Sequence, residues 1–225
     1  MDSIRWHQTT TGRLLTVSEP IDFWFDFSCP YAYVASTRLT WLAEETNRSI
    51  RLKPFLLGGV FRALQQPQNM STTLNAPKAH HNRLDLMRWA DWYEVPLRTP
   101  FRHPNRSVEA LRAFLCCPSA RQAEVMAAFY RLYWAEQRDL SSREELGACL
   151  DRLGLDGFAL MQRIDHAQTK NELIERTDEA IELGVFGAPT FVVDGSLFWG
   201  QDRLEMVAAT AKGWRPPSES KDFKF

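Results

Sequence analysis

The chain of 225 residues contains only four cysteines, Cys29, Cys116, Cys117 and Cys149. That is too few for a disulfide scaffold at this length, and the C-x2-C spacing of a structural zinc site is absent. Histidine offers no alternative: the one adjacent pair, His80-His81, would point in different directions on a helix, so no metal site is expected. A surplus of either charge is also missing. Lys plus Arg number 27 against 28 for Asp plus Glu, a formal net charge of −1. A protein that tracks a phosphate backbone carries a basic surplus, which counts against nucleic acid as the main partner. Apolar runs are short, and none approaches the roughly 18 residues that span a bilayer. The opening MDSIRWHQTTTGRLLTVSEP lacks the continuous apolar core of a secretory signal. The expectation is a soluble, cytoplasmic protein with no membrane partner.

What is present is ordinary globular material. Hydrophobic residues make up 44% and charged residues 24%, a balance that argues against disorder. The length suits one large domain or a domain with a substantial insertion. In Ile21-Asp22-Phe23-Trp24-Phe25-Asp26-Phe27 the odd positions are apolar, the period of a strand with one buried face. Ser28-Cys29-Pro30 then makes a tight junction into a helix from Tyr31 to about Glu45, with Pro30 suited to its first turn. Ile50 to Leu57 reads as a second strand, parallel to the first.

The middle changes character. From about Lys78 to Leu183 there are amphipathic segments and almost no strand signal. Leu84, Met87 and Trp92 belong to one helix. Val125, Met126, Phe129, Leu132 and Tyr133 form the apolar stripe of another. Ser142-x-x-Glu145 and Thr169-x-x-Glu172 look like capping boxes, and Gly184 like a helix stop. Strand signal returns at Thr190-Phe191-Val192-Val193, and Asp194-Gly195 predicts a hairpin into Ser196-Leu197-Phe198-Trp199. A helix from Gln201 to about Lys212 closes the chain. The order β-α-β, helical block, β-β-α predicts an α/β chain of thioredoxin-like fold with a large all-helical insertion. Its expected parts are an N-terminal extension (1–19), a thioredoxin-like domain (20–77 and 184–213), the insertion (78–183) and a mobile C-terminal tail (214–225).

Cys29 is the candidate for chemistry. At a strand-to-helix junction, unpaired N–H groups and the helix dipole favour a thiolate. Cys29-Pro30-Tyr31-Ala32 has the length of a C-x-x-C redox motif, but Ala32 replaces the thiol that would resolve a mixed disulfide. Cys116, Cys117 and Cys149 lie on apolar helical faces and read as small buried hydrophobes. Gly187-Ala188-Pro189-Thr190 enters the hairpin, where a cis bond at Pro189 would turn backbone groups toward a ligand. Asp202, taken on its own, reads as a cap of the last helix.

IDFWFDFSCPYAYVAS, RLKPFLLGGVF, DLMRWADWYEVPL and GVFGAPTFVVDGSLFWGQDRL together resemble the 2-hydroxychromene-2-carboxylate isomerases, relatives of kappa-class glutathione transferases and DsbA-like thiol oxidoreductases. The similarity runs from about Ile21 to Val207. It implies glutathione as cofactor, a small aromatic carboxylate from aromatic degradation as substrate, and it admits a homodimer. Cys29 stands in the catalytic place where the family usually has a serine that hydrogen-bonds the glutathione sulfur. The resemblance further implies that Ala188 and a cis Pro189 clamp the tripeptide and that Trp199, Gly200, Gln201 and Asp202 hold its γ-glutamyl end. Asn69 would contact glutathione, and Arg62 and His103 would contact substrate, with Arg106 as another cation for its carboxylate. The implied reaction is a cis-trans isomerisation by reversible addition of the glutathione thiolate. The alternatives are a glutathione transferase, a monothiol disulfide oxidoreductase using Cys29, or a glutathione-binding module without turnover.

Overall fold

A computed structural model describes residues 19–215. The expected N-terminal extension and C-terminal tail therefore lie almost wholly outside the described residues. Four strands form one mixed sheet in the order β2-β1-β3-β4. Strand β1 (Ile21–Phe25) runs parallel to β2 (Ile50–Pro54), with Ile21 opposite Ile50 and Phe25 opposite Pro54. Strand β3 (Thr190–Val193) lies antiparallel to β1, and β4 (Ser196–Trp199) antiparallel to β3. The β3–β4 turn is the predicted hairpin: Asp194 and Gly195 take φ of 48° and 79°, the left-handed values a two-residue turn requires.

Between β1 and β2 come α1 (Pro30–Ser36) and α2 (Leu39–Thr46), and α3 (Leu57–Ala63) follows β2. The inserted helices are α4 (Ala76–Trp92), α5 (Val108–Cys116), α6 (Gln122–Trp134), α7 (Arg143–Arg152), α8 (Gly157–Arg163) and α9 (Ala167–Glu182). A 3-10 turn, Gln201–Arg203, leads into α10 (Leu204–Ala211). Helix α9 packs against β2 and α3, and α10 against α2 and β3.

The structure corrects several expectations. Strand β1 is buried on both faces, not one. Phe23 and Phe25 face a cluster with Phe27, Phe114 and Tyr130, while Trp24 packs edge-on to Phe55. Asp22 meets Arg51, with Oδ1 and Oδ2 at 2.5 and 2.9 Å from its nitrogens. The single helix expected from Tyr31 to Glu45 is two, because Thr37 Oγ1 turns back to the Val34 carbonyl and Arg38 lodges over Trp41 and Tyr93. The second strand stops at Pro54, and Leu57 instead opens α3. Ser142 caps α7 as expected, yet Glu145 reaches the Asp139 amide, so only half of that box forms. Thr169 caps nothing: α9 begins at Ala167, and the hydroxyl donates to Arg163 O. Gly184 follows the last turn of α9 with φ of 79°. The α6 stripe is buried throughout, whereas Met87 and Trp92 on α4 are 63% and 78% exposed.

Candidate active site

The site is assembled where β1 ends. Cys29 is the N-cap residue of α1, with an extended backbone, and Pro30 occupies the first helical position. Proline fits there because its missing N–H would have had no helical partner. Helix α6 grips the turn from below. Tyr130 Oη donates to Asp26 O at 3.2 Å, and Trp134 Nε1 donates to Phe27 O at 2.9 Å. These two bonds satisfy buried carbonyls that lie beyond the sheet ladder. Tyr33 of α1 stacks on Tyr130 with ring centres 5.4 Å apart.

At the same end of the sheet, where Thr190 opens β3 opposite Trp24, comes the Gly187-to-Thr190 segment. The Ala188–Pro189 peptide is cis, and Cys29 Sγ donates to Ala188 O at 3.0 Å. Gly187 has no room for a side chain: an added Cβ would lie 2.5 Å from the Trp199 indole nitrogen. Gly200 N donates to Pro189 O at 3.0 Å, which brings the 199–202 segment beside the clamp. The Gln201 side chain is buried, and its Oε1 finds no donor among the described residues. Asp202 accepts no capping bond, which removes the reading of it as a helix cap; it pairs with the adjacent Arg203 at 3.3 Å.

The thiol is not the thiolate that its helix position suggested. Burial pushes Cys29 up to about 12, and the negative charge of Asp26 pushes the same way. The amides of Tyr31 and Ala32 face the sulfur and oppose this, but desolvation wins. Cys29 is thus a protonated donor. Tyr31, two residues on, is likewise raised to about 12, by burial first and then by Asp85, Cys29 and Asp202. Its hydroxyl reaches Asn82 O on α4 at 3.4 Å. Asp85 and Asp202 therefore form an acidic flank on one side of α1, with Tyr31 between them.

Sequence reasoning missed Tyr31, Asp85 and Asp26. Asp26 had a readable signal, an acid set between aromatic residues at the end of a buried strand. Asp85 had none, because a polar residue on an amphipathic helix carries no mark of a site.

The remaining candidates are not drawn into contact with Cys29. Asn69 uses its Oδ1 to cap a 3-10 turn, accepting from Ser71 N and Oγ at 3.0 and 2.6 Å. Arg62 ends α3, exposed and without an ion pair among the described residues. Arg106 is engaged with Glu109 at 3.2 Å. His103 packs against Trp134, and burial lowers it, so it is neutral. Tyr133 Oη accepts from Asn105 N at 3.0 Å and shares a hydrogen bond with His103 Nδ1 at 2.9 Å. The other three cysteines are free and buried, and Cys116 meets Thr169 on α9. Among the described residues, no group of three or more His, Cys, Asp or Glu could hold a metal ion, and no helix is long and apolar enough to cross a membrane.

The family model of the DSBA-like thioredoxin domain matches residues 20–212. A 2-hydroxychromene-2-carboxylate isomerase of Sphingobium xenophagum is 32% identical over 85% of this chain and 97% of its own. The chain belongs to that isomerase family, on a DSBA-like scaffold. It is an enzyme of the isomerase type. A solved 2-hydroxychromene-2-carboxylate isomerase superposes with a TM-score of 0.77 at 29% identity, covering 86% of this chain and 95% of the other. The chain is also similar to glutathione S-transferase kappa 2 of Caenorhabditis elegans, 28% identical over 84% of this chain and 89% of that one. The thioredoxin-like fold with inserted helices, expected from the order of segments, agrees with these matches.

Proposed function

We propose that the protein is a cytoplasmic, glutathione-dependent cis-trans isomerase of 2-hydroxychromene-2-carboxylate or a similar aromatic-degradation intermediate. The observation that carries this reading is the Cys29 side chain at the N-terminus of α1, its Sγ 3.0 Å from Ala188 O of the cis Ala188–Pro189 peptide. When bound, glutathione supplies a thiolate for reversible addition to the conjugated carbon of the substrate. Cys29 supplies the hydrogen bond that positions that sulfur, its S–H turning from Ala188 O, while the Tyr31 and Ala32 amides contribute positive potential. The orphaned Gln201 Oε1 and the Asp202 carboxylate suit the ammonium of the γ-glutamyl end, and Trp199 and Gly200 border it. The Ala188 backbone suits the peptide portion. Asn69, with Oδ1 committed to its turn, has its amide nitrogen left for the tripeptide.

The substrate carboxylate belongs away from the acidic flank, and Arg62 is the free cation assigned to it. His103 is assigned to a substrate oxygen. The inserted helices 78–183 form the second wall of the cleft against the thioredoxin-like part. The exposed face of α4 around Met87 and Trp92 is assigned to a homodimer contact.

The monothiol oxidoreductase reading needs a thiolate at Cys29, which a buried thiol near 12 does not supply at neutral pH. Cys29→Ser tests the choice, since serine offers a donor at the same place. Glutathione-dependent isomerisation by the variant within about tenfold of wild type is expected. Wild-type turnover that needs no glutathione and vanishes in the variant would make Cys29 the nucleophile and end this reading.

A further inference from the structure

Beneath Cys29 lies a carboxylate that the proposed reaction does not use. Asp26 is 1% exposed. Its Oδ1 accepts from Ser28 N and Ser28 Oγ, each at 2.8 Å. Its Oδ2 accepts from Leu57 N, the first amide of α3, at 2.9 Å. The Ser107 side chain, at the N-cap of α5, also acts on this carboxylate and opposes the rise in its pKa. No lysine or arginine among the described residues pairs with it. One carboxylate thus joins the turn that delivers Cys29 and the start of the helix that carries Arg62.

We propose that Asp26 is a positioning residue for the glutathione site, fixing the α1 turn through one oxygen and the start of α3 through the other. The proposal rests on the reading of Cys29 as the sulfur's hydrogen-bond partner. Stability does not account for Asp26. Burial outweighs its donors and raises its pKa above the ordinary carboxylate value. A group raised in the folded state favours folding while protonated and loses that contribution as pH rises through the folded value. Its donors do not offset its burial, and the groups they hold are the turn of Cys29 and the start of α3. The groups that face it are Cys29 on its own turn and Tyr130 and Tyr133 on α6, with Tyr31, Asp85 and Asp202 beyond the thiol. The negative charge acts on Cys29 in one direction, towards the protonated donor.

Asp26→Asn separates the two oxygens, since an amide can accept at only one of the two positions and sets an NH2 against a donor at the other. The measurements are glutathione affinity by calorimetry, melting temperature, and the Cys29 thiolate titration read at 240 nm after subtraction of Cys29→Ser. The expected result is at least a tenfold loss of glutathione affinity with melting temperature within a few degrees of wild type. The Cys29 midpoint should also move to lower pH, because the buried charge has gone. A fall in melting temperature with unchanged affinity and midpoint would overturn the proposal and leave Asp26 a structural brace. If Asp26→Asn does not fold, Ser28→Ala removes only the hydroxyl arm. It should weaken glutathione binding several-fold, and unchanged binding would overturn the proposal equally. Wild type that binds no glutathione while the midpoint still moves in Asp26→Asn would instead remove the glutathione reading and keep the action of Asp26 on the thiol.

Discussion

Helix α1 is held between two unlike flanks. On one side, α6 buries Val125, Met126, Phe129, Tyr130, Leu132, Tyr133 and Trp134 and donates hydrogen bonds to the carbonyls of Asp26 and Phe27. On the other, α4 buries only Ala90, reaches α1 through the Tyr31–Asn82 contact, and leaves Met87 and Trp92 in the open. The 3-10 turn with Asp202 also packs against α1. Both helices come from the same inserted block. One has become part of the core that fixes the thiol, and the other has stayed a surface with charges and apolar groups to offer. Changes on the first flank should therefore act through folding, and changes on the second through binding.

The largest effect belongs to Trp134→Ala. It opens a cavity and strands the Phe27 carbonyl, so urea unfolding should show a loss of about 3–5 kcal/mol. A loss below about 1 kcal/mol would erase the distinction between the flanks. Alkaline pH probes the same dry side through Cys29. Its folded pKa lies above the unfolded value, so its contribution is present below about pH 8.5 and fades as pH climbs towards the folded value. Urea stability measured at pH 7.5 and pH 10 should fall by about 1–2 kcal/mol more in wild type than in Cys29→Ser.

On the wet side, Asp202→Asn should cost about tenfold in glutathione affinity with melting temperature unchanged, read by calorimetry and thermal unfolding. An unstable variant with intact affinity would assign Asp202 to the scaffold. Tyr130→Phe sharpens the contrast within α6. The Asp26 carbonyl keeps the bond from Cys29 N, at 3.1 Å, so the loss should be only about 0.5–1.5 kcal/mol. The smallest effect on folding is expected at Trp92. Trp92→Glu should change monomer stability by less than about 0.5 kcal/mol yet shift sedimentation towards a single chain. A monomeric wild type would show that the α4 face has no second copy to meet.

Much of this organisation was legible in the sequence because local chemistry wrote it there. Ser28-Cys29-Pro30 announced the strand-to-helix junction, and Asp194-Gly195 the hairpin, since each depends on backbone preferences of neighbours. What escaped was tertiary. The second face of β1 is closed by contacts from elsewhere in the chain, Trp24 against Phe55 and Asp22 against Arg51, which the alternation along the strand does not show. Helix α3 hid behind Gly58 and Gly59, poor helix formers whose helix starts where Asp26 takes the Leu57 amide. The break at Thr37–Arg38 has no glycine or proline to mark it and follows from Arg38 seating itself on two rings. At the site, the helix-terminus argument gave the right place for Cys29 and the wrong protonation state, because burial outweighed the amides.

That protonated state bears on how the protein ages. Peroxides attack thiolates, and susceptibility follows both ionisation and exposure. Cys29 is 8% exposed, and its hydrogen is committed to the Ala188 carbonyl. A cysteine kept in this form resists the oxidation that would carry an ionised, exposed one to the sulfenic acid.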